Sequence, residues 1–408
     1  MNKKIELLAP AGDLEKLKTA IIYGADAVYF GGELFSLRAG AGNLSIEEIS
    51  EAMDFIHNHS CKGYMTINIY PHNEDIPLLI DYVNKLKNIP VDAFIVSDPG
   101  VIQIIKSVIP DAEIHLSTQA NTTNYVTANF WASLGVKRIV SAREMNLKDL
   151  KFMKEHLPDD VEIESFVHGA MCISYSGRCL LSNFMVGRDA NRGACTHPCR
   201  WKYALMEEKR PGEYFPIEED SRGSYILNSR DMCMIDSIPD LVDAGVTSFK
   251  IEGRMKSMYY VATIVSAYRM ALDAYLSDPE NYEYKDYYFT ELCKASHREF
   301  THGFYYNKPT DKDQNYLTSD YTRDYSFVGL VKGFDDSTGR TIVEQRNKFS
   351  VGDTVEIFGP RVPFYEEVIT EMFDEEGNPV DSAPHPQQIL QIRFKNKPEE
   401  DFIIRKKK

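Results

Sequence analysis

Eight short apolar runs, each closed by a glycine, a turn residue or a helix cap, occupy the first 253 residues. They read IELLAP from Ile5, AVYFGG from Ala27, GYMTIN from Gly63, AFIVSD from Ala93, EIHLST from Glu113, RIVSAR from Arg138, EIESFVHG from Glu162 and SFKIEG from Ser248. Runs of this length with β-branched and aromatic residues are strands, and amphipathic segments separate most of them. After the first run, Asp13 is placed to cap a helix whose Leu14, Leu17 and Ile21 share a face and which Gly24 ends. After the second, Ser45 and Glu48 stand at capping-box spacing before the stripe Ile46, Ile49, Met53 and Ile56. Strands that alternate with helices pair in parallel, and eight is the number that closes a (β/α)8 barrel. An open doubly wound sheet is the alternative. The barrel is preferred because no dinucleotide fingerprint follows the first strand.

The pattern changes near Tyr325, where a period-two alternation with turns at Gly, Asp and Asn takes over. The expectation is a TIM-barrel-like domain over 1–310, with a cysteine-rich insertion at 168–202, and a small β-barrel over 322–408. No apolar run is long enough to span a bilayer and the N-terminus lacks a signal-peptide core, so the reading is a cytoplasmic protein without membrane contact. The formal net charge of −15 argues against a surface that coats nucleic acid or membranes, while leaving room for a local basic site.

Barrel chemistry sits at the carboxyl ends of strands. Those ends carry Ala11-Gly12, Gly31-Gly32-Glu33, Asn68, Asp98, Ser117 to Gln119, Arg143-Glu144, His168-Gly169 and Glu252-Gly253-Arg254. Any one of these is ordinary strand punctuation. Their recurrence around the ring marks a pocket.

The seventh strand runs into HGAMCISYSGRCLLSNFMVGRDANRGACTHPCRW, His168 to Trp201, which holds four of the seven cysteines. A reducing compartment makes clustered thiols metal or redox ligands before disulfides. The spacing Cys172-x6-Cys179, then Cys195-x3-Cys199, lacks the two Cys-x2-Cys knuckles of a zinc ribbon. The radical-SAM pattern fails because its third position is Lys202. Four thiolates from an irregular loop suit a [4Fe–4S] cluster, with Gly169, Gly177 and Gly193 allowing the backbone to fold about it. Cys61 and Cys293 read as packing residues and Cys233 as a reserve ligand. Between His168 and Lys202 five cations (Arg178, Arg188, Arg192, Arg200, Lys202) face one anion, Asp189, with Trp201 and Tyr203 beside them as bases' stacking partners.

ESFVHGAMCISYSGRCLLS, from Glu164, resembles the signature of the collagenase-like peptidase U32 family. APAGDLEKLKTAIIYGADAVYFGG, GACTHPCRWKY, FKIEGRMKS and NKFSVGDTVEI carry the likeness over nearly the whole chain. The resemblance implies a prephenate-dependent, oxygen-independent hydroxylase that converts the wobble uridine of tRNA to 5-hydroxyuridine. It also implies a [4Fe–4S] cluster on Cys172, Cys179, Cys195 and Cys199. Prephenate carries two carboxylates and calls for fixed cations. Arg143 and Arg254 are the candidates, with Lys250 and Arg38 behind them and His168 for proton transfer, and Glu164 and Glu252 complete the catalytic set. The alternative for Arg254 is a salt bridge to Glu252 that only shapes the loop. The family's older label is peptidase, for which the chain offers neither HExxH nor GxSxG, only a Cys172–His168 dyad that competes with the cluster. An Fe–S redox or RNA-binding module without catalysis would leave the polar mouth unused.

Overall fold

All eight strands form, at Glu6–Pro10, Ala27–Gly31, Lys62–Ile67, Ala93–Val96, Ile114–Leu116, Arg138–Val140, Glu162–Ala170 and Val246–Ile251. Each pairs in parallel with the next, and the ring closes where Phe249 is flanked by Leu7 of the first strand and Ser165 of the seventh. The computed structural model describes residues 5–38, 41–172, 179–201, 204–206, 214–216, 230–308 and 321–408. Among these, no helix is long and apolar enough to cross a membrane.

The expected caps hold the first helices in place. The Asp13 carboxylate accepts from the Lys16 amide at 2.9 Å ahead of Leu14–Ile22. Ser45 and Glu48 make both bonds of the capping box ahead of Ile46–Asn58, whose Ile49, Met53 and Ile56 are buried. Two of the polar strand ends prove to be local: Asp98 caps Pro99–Val108 and Ser117 caps a single helical turn.

The barrel floor is ionic. Arg138 of the sixth strand reaches Glu6 at 2.5 Å, Glu162 at 2.6 Å and Glu164 at 3.2 Å, while Lys250 of the eighth strand meets Glu164 at 2.5 Å. Ser248 donates to both Glu6 and Glu164, and Tyr64 donates to Glu6. Burial alone would lift the carboxyls of Glu6 and Glu164, but the cations around them bring both below the ordinary range.

The seventh strand is the longest in the barrel, and its last residues take on a partner outside the ring. His168, Gly169 and Ala170 pair antiparallel with a short strand, Asp231–Cys233, that returns from the cysteine segment. A register shift between the Lys250–Phe166 and Ile251–His168 pairs breaks the inward alternation at this point.

Beyond the long helix Met258–Ser277 the chain builds a seven-stranded antiparallel sheet, beginning with Tyr325–Asp335 and ending with Ile403–Lys407. It encloses its own core, which includes Val328, Val343, Ile357, Leu390 and Ile404. The two outermost strands, Val362–Val368 and Met372–Phe373, are not paired with each other. The sheet docks on the barrel through Tyr23 and Tyr259, which pack against Phe358. It also docks through a buried charge cluster in which Arg405 meets Glu291 and Glu356, and Lys294 meets the same two carboxylates.

Candidate active site at the barrel mouth

At the carboxyl ends of the strands the arginines converge on one acid. Arg143 Nη2 lies 3.0 Å from Glu252 Oε2 and Arg38 Nη2 lies 3.6 Å from the same oxygen. The Arg143 guanidinium also covers the Phe166 ring at 4.0 Å. Burial would raise the Glu252 carboxyl, but Arg38, Arg143, Arg254 and Lys250 outweigh it and hold the group ionised.

Arg254 is held differently. Its guanidinium donates to Ser36 Oγ at 2.7 Å, the Leu37 carbonyl at 2.8 Å, Thr66 Oγ1 at 3.2 Å and Asn43 Oδ1 at 2.5 Å, all neutral oxygens. It makes no salt bridge to Glu252, so the loop-shaping pair the sequence suggested is replaced by Arg143–Glu252 and Arg38–Glu252. Burial lowers its pKa to about 10, the mark of a cation with too little negative charge around it. Gly31 makes room for it, since a Cβ there would fall 2.2 Å from Arg254 Nη2.

These residues line a small inner pocket of about 50 Å³, with Tyr29, Asn68, Ser117, Gln119, Phe166 and Lys250. That is room for roughly three or four waters, or for one carboxylate group, not for a whole organic acid. Arg38, Gln119, Arg143 and Glu252 also border a second cavity of about 840 Å³ directly above. All four cysteines of the insertion, Cys172, Cys179, Cys195 and Cys199, line this chamber.

The cysteine segment is fastened across the mouth. Arg192 forms a two-pronged ion pair with Asp75, at 2.8 and 3.2 Å, so one of its five cations is structural. Gly193, at φ 85°, packs on the loop that carries Arg38, where a Cβ would lie 3.0 Å from the Ser36 carbonyl. Arg38, its pKa raised first by Glu252, also feels Cys195 and Cys172. None of the seven cysteines forms a disulfide. Among the described residues no three His, Cys, Asp or Glu side chains stand close enough to hold a metal ion. The four thiols therefore share a chamber wall rather than a closed ligand set. Gly177, Arg178, Lys202 and Tyr203, and the side chain of Arg200, lie outside what is described.

Three sequence candidates fall elsewhere. His168 is buried at 1% exposure against Tyr260, Tyr268 and Phe300 and borders neither cavity. Burial, aided by Lys256 and His297, lowers its pKa to about 3, so it stays neutral and has no solvent or substrate to exchange a proton with. The strand shift described above removes it from the mouth. Glu164 belongs to the floor, one layer below the pocket, and Lys250 spans the two layers. Cys233 is buried beside Tyr268, its thiol pushed up to about 12 by burial, and does not line the chamber. Reading the sequence missed the neutral cradle of Ser36, Asn43 and Thr66, which carries no motif. It also missed the part of the chamber lined by Lys256 and Ser296 together with Arg323, Asn347 and Lys408.

The structure thus defines a TIM-like barrel with a cation-rich inner pocket, roofed by a cysteine-bearing segment and flanked by an appended β-domain. Family models assign it more closely: the model for peptidase family U32 matches residues 12–315 and that for the U32 C-terminal domain matches 323–405. The chain belongs to peptidase family U32. It is 43% identical to tRNA hydroxylation protein P1 of Bacillus subtilis, over all of this chain and 96% of that protein. It is 36% identical to tRNA hydroxylation protein P of Escherichia coli, over 88% of this chain and 87% of that one. A protein named collagenase from Porphyromonas gingivalis is 31% identical over 87% of this chain and 86% of its own length.

Proposed function

We propose that the protein hydroxylates tRNA, forming 5-hydroxyuridine at the wobble position with prephenate as co-substrate and a [4Fe–4S] cluster on Cys172, Cys179, Cys195 and Cys199. The observation that carries this reading is that four thiols and an arginine-lined pocket open into one chamber, in a chain matched end to end by a tRNA hydroxylation protein. The donor set fits the cluster in kind. Four sulfurs border the chamber and Glu252 is its sole carboxylate side chain among the described residues. Arg38, close enough to feel Cys172 and Cys195, favours the anionic charge that such a cluster carries. When bound, the cluster supplies one-electron chemistry beside the pocket.

The chain's own residues bind and orient. Arg254, rigid in its cradle, and Arg143, stacked on Phe166, offer forks to a carboxylate in the inner pocket. The remainder of a dicarboxylate would extend past Arg38 toward the thiols, and the larger chamber has the volume for a base turned out of its stack. Anaerobically purified protein should be brown and hold iron and sulfide. Replacing any one of the four cysteines by Ala should abolish or badly weaken the visible absorbance, and a colourless protein with stoichiometric zinc would refute the cluster. In a strain lacking this gene and any related copies, mass spectrometry of tRNA nucleosides should show loss of 5-hydroxyuridine derivatives, restored by the wild type but not by Cys172→Ala.

The relative named collagenase supports a second reading, proteolysis. His168 cannot serve Cys172 as a base from its buried position, and His197 is the only imidazole bordering the chamber among the described residues. Gelatin cleavage that Cys172→Ala removes, with tRNA modification unchanged, would decide for that reading.

A further inference from the structure

The chamber has two ends with different chemistry. Its inner end is the pocket of Arg38, Arg143 and Glu252 already described. Its outer end is built largely by the appended domain, which contributes Arg323, Tyr325, Ser326, Phe327, Asn347 and Lys408. The sheet register puts these polar groups on one rim. Tyr325 pairs with Lys407, and the next amide, Lys408 N–H, donates to the Asp324 carbonyl at 2.8 Å, so Arg323 and Lys408 flank one strand end. Asn347 joins them because its amide group donates to the Phe327 carbonyl at 2.8 Å. All three are exposed, and among the described residues Arg323 and Lys408 form no salt bridge. Across the rim stands Lys256 of the barrel, over the Tyr321 ring at 3.7 Å.

Charge separates this rim from the rest of the surface. Among the described residues the chamber is bordered by five Lys or Arg side chains (Arg38, Arg143, Lys256, Arg323, Lys408) against one carboxylate side chain, Glu252, in a chain of net charge −15. A concave site of one sign on a surface of the other focuses the field and selects a polyanion. The aromatic rings here are already engaged: Phe327 stacks on Tyr259 at 5.8 Å, and Tyr321 carries Lys256 and Arg298. What the rim offers is therefore charge for a sugar–phosphate backbone rather than faces for bases.

We infer that the C-terminal domain is part of the substrate site, with Arg323 and Lys408, supported by Asn347 and facing Lys256, forming a lip that grips backbone phosphates of the RNA strand whose base enters the chamber. This rests on the RNA reading above and assigns the domain a task within it. The test uses the full-length protein and a fluorescently labelled, unmodified tRNA transcript, titrated over a range of salt concentrations. The Arg323→Ala, Lys408→Ala double variant should bind about tenfold more weakly at the lowest salt, and its log K against log salt slope should fall by about 1–2. Arg323→Lys should keep the wild-type slope, as a backbone contact requires charge rather than a fork. The double variant's thermal midpoint should match the wild type. If the double variant unfolds, Arg323→Gln alone should still lower the slope. Equal affinity and slope in wild type and double variant would overturn the lip and leave tRNA as the substrate. A wild type that ignores tRNA but binds gelatin would overturn both.

Discussion

The barrel carries two charged layers, a floor and a mouth, and they are built to opposite rules. In the floor, Arg138 and Lys250 are matched against Glu6, Glu162 and Glu164, with Ser248 and Tyr64 donating into the same carboxylates. In the mouth, Arg38, Arg143 and Arg254 face one acid among the described residues, and the most deeply buried of the three is held by neutral oxygens. A buried charge set that closes on itself is structure. One that leaves cations in excess is a site waiting for an anion.

The largest effect should come from breaking the floor. Arg138→Met strands Glu6 in the core, takes from Glu164 one of its two cations, and should cost about 3–5 kcal/mol in urea unfolding. A loss below about 1 kcal/mol would erase the distinction drawn between the layers. Acid should next separate the floor from the wall beside it. Neutral buried His168, with its pKa lowered to about 3, leaves the unfolded state binding more protons below pH 6.5. Its contribution to stability is therefore complete above pH 6.5 and shrinks as pH falls toward 3. Between pH 6.5 and 4.5 this amounts to roughly 2–3 kcal/mol. His168→Phe should remove that slope while leaving the further loss at lower pH, where the floor carboxylates take up protons. Equal slopes in both proteins would place the acid sensitivity elsewhere.

In the mouth the cost should fall on ligand rather than fold. Arg143→Ala should weaken prephenate binding about 10–30-fold by calorimetry, roughly 1.4–2 kcal/mol, with less loss of stability than Arg138→Met. Glu252→Gln, which removes the carboxylate charge that Arg38 and Arg143 share, should tighten the same binding by about threefold, the smallest of these effects. Tighter binding in the first variant or weaker in the second would reverse the reading of the mouth as an anion site.

Much of the barrel was legible because its signals are local. Capping by Asp13 and Ser45, and the eight apolar runs, act within a few residues. Strand ends and Cys spacing are read in one dimension, and they pointed to Arg143, Arg254, Lys250 and the four cysteines, which line the inner pocket and the chamber. His168 was misplaced because a single register shift, invisible in the sequence, turns it from the mouth to the wall. Asn43 beside Arg254, and Arg323 and Lys408 on the rim, lie about 200 and 70 or more residues from their partners in the chain. Only the closed barrel and the docked sheet bring them together.

The matched floor has a kinetic consequence. Its buried ion pairs fill the barrel below the pocket, and among the described residues the inner pocket shares Arg38, Gln119, Arg143 and Glu252 with the chamber above it. A pocket with one doorway imposes a queue. For the reaction proposed above, the small acid must arrive before the polymer takes its place in the doorway, and its remains must wait for the polymer to leave. Excess tRNA should then act as its own brake, slowing turnover by occupying enzyme that has not yet been loaded.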